Sequence, residues 1–231
     1  MYQLTEFNTK DQLDVELADK IAKILAEAID RKGTASIAVS GGSTPKGLFK
    51  ILSNKEVEWS KVFITLADER WVEQSSDASN TSLVLQNLLQ HNAKEASFFH
   101  LKKEGDLTEA VLNDLNASAK KDLLPLDVLI LGMGEDGHTA SLFPCSEQIQ
   151  SGLSVDNKQA LMMVEPKTAP HLRISFTFSA LAQSENVFLH LCGDAKKSVL
   201  NKALGNNDVF EMPIRAFLQN EKINTQVYWA A

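Results

Sequence analysis

The order of apolar runs and glycine turns predicts an α/β fold, a single doubly wound, mostly parallel sheet with helices on both faces, Rossmann-like in outline. Three observations carry this. Short continuous aliphatic runs at Ala35–Val39, Val62–Leu66 and Val128–Leu131 suit strands buried on both faces. Helical periodicity separates them, which calls for crossovers between parallel strands. Glycine clusters follow the first and the last of these runs, at the carboxyl ends of strands where open α/β sheets keep their sites.

Thr9 to Lys32 spaces Leu13, Leu17, Ile21, Leu25 and Ala28 three or four apart among charged residues and stops at Gly33, an amphipathic helix with a glycine terminator. The strand Ala35–Val39 runs into SGGSTPKGLFKIL, where Pro45 suits a first helical turn. The strand Val62–Leu66 precedes ADERWV; helices are expected over Thr81–Gln90 and Leu107–Lys121, then a strand over Asp127–Leu131. Further strands are expected at Ala160–Val164, Arg173–Phe178, Val187–Cys192 and Thr225–Trp229, with a helix over Asp194–Leu204. Gln74–Asn80 and Ser146–Lys158 are polar enough to be mobile covers or plain solvated loops. With no internal repeat and no low-complexity linker, one domain over residues 1–231 is expected.

A chain of 231 residues that is 44% hydrophobic buries a large core. Its formal net charge of -7 argues against nucleic acid and anionic membrane surfaces, which call for basic patches, yet allows an anionic small molecule held by a few local cations. Cys145 and Cys192 match no metal-ligand spacing and no CxxC pattern, so they read as reduced thiols. MYQLTEFNTKDQLD lacks a basic and then apolar leader, and no run approaches the roughly 18 apolar residues of a membrane span. A cytoplasmic protein is expected, and homo-oligomerisation is compatible with the sequence without leaving a signature in it.

The chemistry concentrates in Leu129–Pro144, LILGMGEDGHTASLFP. Gly132, Gly134 and Gly137 let the backbone turn and approach a ligand, and they deliver Asp136 and His138 at what reads as the mouth of a helix. A free imidazole titrates near about 6.5, so His138 is the candidate acid/base and Asp136 its orienting carboxylate. Gly41, Gly42, Ser43 and Thr44 form a second glycine loop able to hold an anion at a helix N-terminus, or to serve as an ordinary capped turn. That loop has neither Walker A nor dinucleotide-fingerprint spacing. Asp68, Glu69 and Arg70 emerge at another strand end, where one of them is expected to face the cleft and where a salt-bridged surface turn is the plainer alternative. Arg173 and Lys196, taken alone, read as solvated cations. His91, His100, His171 and His190 show no convergent partners and read as surface or core residues.

SGGSTPKGLF, ADERWV with the following SSDASN, and LGMGEDGHTASLFP together resemble the 6-phosphogluconolactonases, in an order and spacing that extend over nearly the whole chain. That family is similar in fold to the glucosamine-6-phosphate deaminases, which carry a glutamate five positions after the DGH histidine and a tyrosine after the Asp-Glu pair. Here those places hold Phe143 and the pair Arg70-Trp71. The resemblance implies hydrolysis of 6-phospho-D-glucono-1,5-lactone in the oxidative pentose phosphate pathway, with no metal and no cofactor. The residue chemistry supports the same reaction independently: His138 supplies the base, and Arg173, Lys196, Ser43 and Thr44 make a cradle for the phosphate. The oxyanion would lie against glycine-loop N–H groups or Arg70, which could belong to the phosphate cradle instead, and Asp68 would contact a sugar hydroxyl. The rival readings are a glucosamine-6-phosphate deaminase or isomerase, and a noncatalytic sugar-phosphate sensor; no basic helix-turn-helix segment of the kind that accompanies such sensors is evident.

Overall fold

The computed structural model describes residues 2–231. In chain order the elements are β1 (Gln3–Phe7), α1 (Lys10–Lys32), β2 (Ala35–Val39), α2 (Lys46–Leu52), β3 (Val62–Leu66) and β4 (Asp68–Arg70). Next come α3 (Asn80–Asn87), β5 (Ser97–Phe98), α4 (Glu109–Asp122), β6 (Val128–Leu131), α5 (Ile149–Leu153) and β7 (Leu161–Val164). The chain closes with β8 (Arg173–Phe176), α6 (Phe178–Leu181), β9 (Asn186–Cys192), α7 (Asp194–Leu204), α8 (Arg215–Leu218) and β10 (Thr225–Ala230).

Seven strands form one parallel sheet in the order β1-β10-β9-β6-β2-β3-β5. The central strands explain the continuous aliphatic runs, because every residue of β2 and of β6 is buried. From β2 the chain proceeds to one side, through β3 to β5; from β6 it proceeds to the other, through β9 to β10. Right-handed crossovers then place α1 and α2 on one face and α4 and α7 on the other. The direction reverses between neighbours β2 and β6, so their carboxyl ends diverge and leave a crevice.

α1 starts where its cap chemistry dictates. The Thr9 hydroxyl accepts from the Gln12 N–H at 3.2 Å, and Gly33 ends the helix at φ 87° with its N–H on the Ile29 carbonyl at 2.8 Å. Its buried stripe holds Leu13, Leu17, Ile21, Leu25 and Ala28, together with one acid, Asp14. Among the described residues no helix is long and apolar enough to cross a membrane.

Several local expectations change. β7 and β8 are strands, but with β4 they form a separate antiparallel sheet, β4-β8-β7, added to the parallel one. Asp68-Glu69-Arg70 is therefore a strand and not a surface turn, and Asp68 and Glu69 are buried. The helix expected to open at His138 is absent: Gly137, at φ 77°, reverses the chain, Thr139 bridges to Leu142, and the next helix begins only at Ile149. Leu142 and Phe143 are drawn into the core instead. Ser146–Lys158 contains α5, whose Ile149 and Leu153 are buried, so this stretch is packed and not a free cover. β1 and the two-residue β5, both at sheet edges, add strands beyond those read from the sequence.

Candidate active site

The crevice at the β2/β6 divergence is a cleft of about 340 Å³. β2 delivers Gly41, Gly42, Ser43 and Thr44, β6 delivers Gly134 and His138, and the small sheet contributes Asp68, Arg70 and Arg173 as one wall. The first turn of α7 adds Lys196. The candidates named from sequence line this cleft except Asp136, which stands behind His138, and Glu69 and Gly137, which lie off it.

Asp136 and His138 meet because Gly134 and Gly137 fold the backbone between them: Gly134 N–H donates to the His138 carbonyl at 2.8 Å and Gly137 N–H to the Gly134 carbonyl at 3.1 Å. The Gly134 N–H is thereby spent inside the turn, although the residue borders the cleft. Nδ1 of His138 lies 2.6 Å from Oδ1 of Asp136. Burial pushes the Asp136 carboxyl up, but the hydrogen bond and charge of His138, helped by the His138 backbone N–H at 3.1 Å, hold it below the ordinary carboxylate value. An ionised carboxylate only accepts, so Nδ1 is the donor in this contact, and the neutral tautomer it selects is the one with its lone pair on Nε2.

The imidazole is also held by its neighbours. It stacks on Phe143 with centroids 4.2 Å apart and planes at 29°. A Cβ added to Gly134 would fall on its Nδ1 and Cε1. His138 and Asp136 side chains are 31% and 39% exposed, and exposed ion pairs contribute about 0.2–1 kcal/mol. Stacked aromatic pairs contribute about 0.5–1.5 kcal/mol beyond area burial. The apolar wall therefore adds to the carboxylate in fixing the ring, by an amount of the same order.

Strand alternation sorts the charges of β4. Asp68 and Arg70 share the face toward the cleft, and Glu69 points the other way. Asp68 accepts from the Ser141 hydroxyl and lies 3.8 Å from Nη1 of Arg173. Arg70 donates to the Ala78 carbonyl at 2.6 Å, while its Nε has no partner. Glu69 accepts from the backbone N–H groups of Arg70 (2.7 Å), Asn80 (2.8 Å) and Thr81 (2.6 Å) and from the Ser79 hydroxyl (3.2 Å). A buried carboxylate at the start of α3 suits the helix dipole and fastens that helix to the wall.

Arg173 pairs directly with Arg70 in the antiparallel register. Burial lowers the Arg173 guanidinium from its usual value, Asp68 pulls it back up, Arg70 lowers it again and Glu69 offsets part of that. Its Nε is buried without a partner. Lys196 reaches the Met133 carbonyl at 2.8 Å. Arg70, Arg173 and Lys196 thus gather cations at one cleft of a chain whose net charge is -7.

Asn80, Thr139 and His190 also line the cleft, and sequence reasoning missed them. Asn80 donates through Nδ2 to the Asp68 carbonyl at 3.1 Å, and Gly41 packs so closely on its carboxamide that a Cβ there would overlap it. The Ser79-Asn80 pair opening an apolar helix was the available signal. Thr139 donates to the Gly132 carbonyl at 2.8 Å. His190 is buried with Nε2 3.1 Å from Oδ1 of Asp14, off the line of a hydrogen bond, so a partner distant in sequence replaces the isolation expected for it.

Residues 8–229 match the family described as glucosamine-6-phosphate isomerases/6-phosphogluconolactonase. A 6-phosphogluconolactonase of Rhizobium meliloti is 43% identical over 224 residues, covering 97% of each chain. A crystal structure of a 6-phosphogluconolactonase from Shewanella baltica superposes with a TM-score of 0.96 at 45% identity, covering 100% of this chain and 98% of that one. A monomeric glucosamine-6-phosphate deaminase shares the fold, with a TM-score of 0.80 at 18% identity, covering 99% of this chain and 97% of its own. Sequence, fold and the placement of the glycine loops agree, and the chain belongs to the glucosamine-6-phosphate isomerase/6-phosphogluconolactonase family.

Proposed function

We propose that this protein hydrolyses 6-phospho-D-glucono-1,5-lactone to 6-phosphogluconate, the lactone-opening step of the oxidative pentose phosphate pathway, with His138 as general base. The lactonase names of relatives that span the whole chain support the reaction. The observation that carries the mechanism is the 2.6 Å contact of His138 Nδ1 with Asp136, within a cleft lined by Arg70, Arg173 and Lys196.

A cyclic ester is already electrophilic, so the site needs a positioned water, a base and a stabilised oxyanion. Nε2 of His138 takes a proton from water as the water oxygen bonds to the lactone carbonyl carbon. The resulting oxyanion is met by cleft donors, for which the N–H groups of Gly41 and Gly42 and the guanidinium of Arg70 are the candidates. The carbon to ring-oxygen bond then breaks, and the proton held by His138 passes to the departing ring oxygen. Asp136 stays ionised throughout and stabilises the transient imidazolium. Arg173, Lys196, Ser43 and Thr44 grip the phosphate, Gly134 shapes the floor under the base, and Asp68 accepts from a sugar hydroxyl.

Phe143 favours this reading over the deaminase one, since the face of His138 that it covers offers no second carboxylate. The reading takes residues 1–231 as one domain acting in the cytoplasm on a small sugar-phosphate lactone, without nucleic acid or membrane. The test couples freshly generated lactone to 6-phosphogluconate dehydrogenase and compares the rate with an enzyme-free blank. A rate well above spontaneous hydrolysis is expected; a folded protein that adds nothing to the blank refutes the activity.

A further inference from the structure

We infer that Phe143 is a positioning residue for the general base, holding the His138 ring against the Gly134 backbone so that Nδ1 stays on Asp136 and Nε2 stays turned to substrate. This rests on the reading of His138 as the base. Phe143 is 2% exposed and therefore immobile in the core, whereas the His138 and Asp136 side chains are each about a third exposed. The hydrogen bond alone leaves the imidazole open to competition from water and to rotation about its long axis. Stacking at 4.2 Å on a ring face, together with a Gly134 too close to the Nδ1–Cε1 edge to admit even a methyl group, limits both. Phe143 is itself braced, since the guanidinium carbon of Arg173 lies over its ring at 5.4 Å. One ring therefore touches both the base and a cation of the same cleft, and so sets the spacing between them.

The fixed order of these parts along the chain supports a dedicated role. Leu142 and Phe143 turn inward immediately after the bridge from Thr139 to Leu142, and Ala140 takes φ 48° to make that turn. A non-glycine residue in the left-handed region is uncommon and is retained where the surroundings demand it. Here it brings Phe143 back beneath the histidine that precedes it.

The test uses Phe143→Leu and Phe143→Met, which keep an apolar side chain but remove the aromatic face, and Phe143→Trp, which restores one. Two readouts are taken: the NMR signals of the two His138 ring nitrogens, which report whether Nδ1 keeps its proton and its bond to Asp136, and lactonase kinetics. In the Leu and Met variants the two nitrogen signals move toward each other, the mark of mixed tautomers, and kcat falls on the order of tenfold with KM changed much less, as expected for a misplaced base. In Phe143→Trp the wild-type nitrogen signals and most of kcat return. Nitrogen signals unmoved in both the Leu and Met variants overturn the proposal, as does a Trp variant with the signals and kcat of the Leu variant. The nitrogen signals report the ring whether or not lactone is turned over, so a wild type without lactonase activity would remove the proposed function and leave this test standing.

Discussion

Arg70 and Arg173 stand opposite each other across the antiparallel pair β4 and β8, two guanidinium groups on one face of a small sheet. Like charges in that position repel, and each arginine keeps a buried Nε without a partner. Asp68 offsets only part of this charge. An anion entering between them relieves the repulsion, so the wall is strained toward binding. Inorganic phosphate is expected to raise the thermal midpoint of the wild type by mass action, and to do so much less in Arg173→Ala. Calorimetry with 6-phosphogluconate should show Kd rising about 10- to 100-fold in that variant, from the loss of a charged hydrogen bond of about 1.5–3 kcal/mol. Unchanged Kd would place the phosphate elsewhere in the cleft.

Removing the base separates chemistry from folding. His138→Ala should lower kcat on the order of 10²- to 10⁴-fold, the usual contribution of a general base. The side chain is 31% exposed, so the urea midpoint should stay close to that of the wild type. Equal initial rates after blank subtraction would remove His138 from the mechanism.

Asp136 yields a pH prediction with a definite sign. Its carboxyl is held below the ordinary value in the folded chain. It therefore adds stability that is fully present above the unfolded-state pKa, about 3.9 for an aspartate, and that is lost as pH falls through the lower folded value. The difference in stability between the wild type and Asp136→Asn should be level near neutrality and shrink in acid, below about pH 4. Denaturation series at several pH values check this. A difference that grows on acidification contradicts the assignment.

Gly134→Ala tests the other wall of the base. The added methyl would occupy the place of the imidazole, so the ring must swing away, and kcat should fall about as far as in the Phe143 variants. Circular dichroism should be unchanged, because Gly134 lies in a turn and its φ is not in the left-handed region.

Glu69 is expected to matter for stability before catalysis. Glu69→Ala leaves three backbone N–H groups and a hydroxyl without their acceptor, and a loss of about 3 kcal/mol is expected from unsatisfied buried donors. Urea denaturation measures it. A change under about 0.5 kcal/mol, the ordinary range for surface positions, would mean water replaces the carboxylate.

The sequence carried the fold where one periodicity dominated. The strands Ala35–Val39 and Val62–Leu66 and the helix Asp194–Leu204 lie where their patterns placed them. It faltered where tertiary pairing overrides pattern. A strand of three charged residues, β4, has no apolar signal at all; it exists because β8 supplies a partner and Glu69 a cap site. β1 is mostly exposed and sits at an edge, so it shows little of the aliphatic run that marked the interior strands. The glycine turns announced the base and the anion loop through composition alone. Asn80 and His190 were silent because their partners, Asp68, Gly41 and Asp14, lie in other segments. Phe143 was visible as an absent acid, but its stacking on His138 depends on the left-handed turn at Ala140.

The reversal of direction between β2 and β6 makes turnover a reporter of assembly. The anion loop belongs to the half of the chain that winds one way, and the base and Lys196 belong to the half that winds the other. Neither half alone contains a cleft. In refolding, recovered activity cannot precede pairing of β2 with β6, a long-range contact of the kind that folds slowly. Separately expressed halves should be inert until mixed, and the rate at which activity returns would then measure the closing of the central strand pair itself.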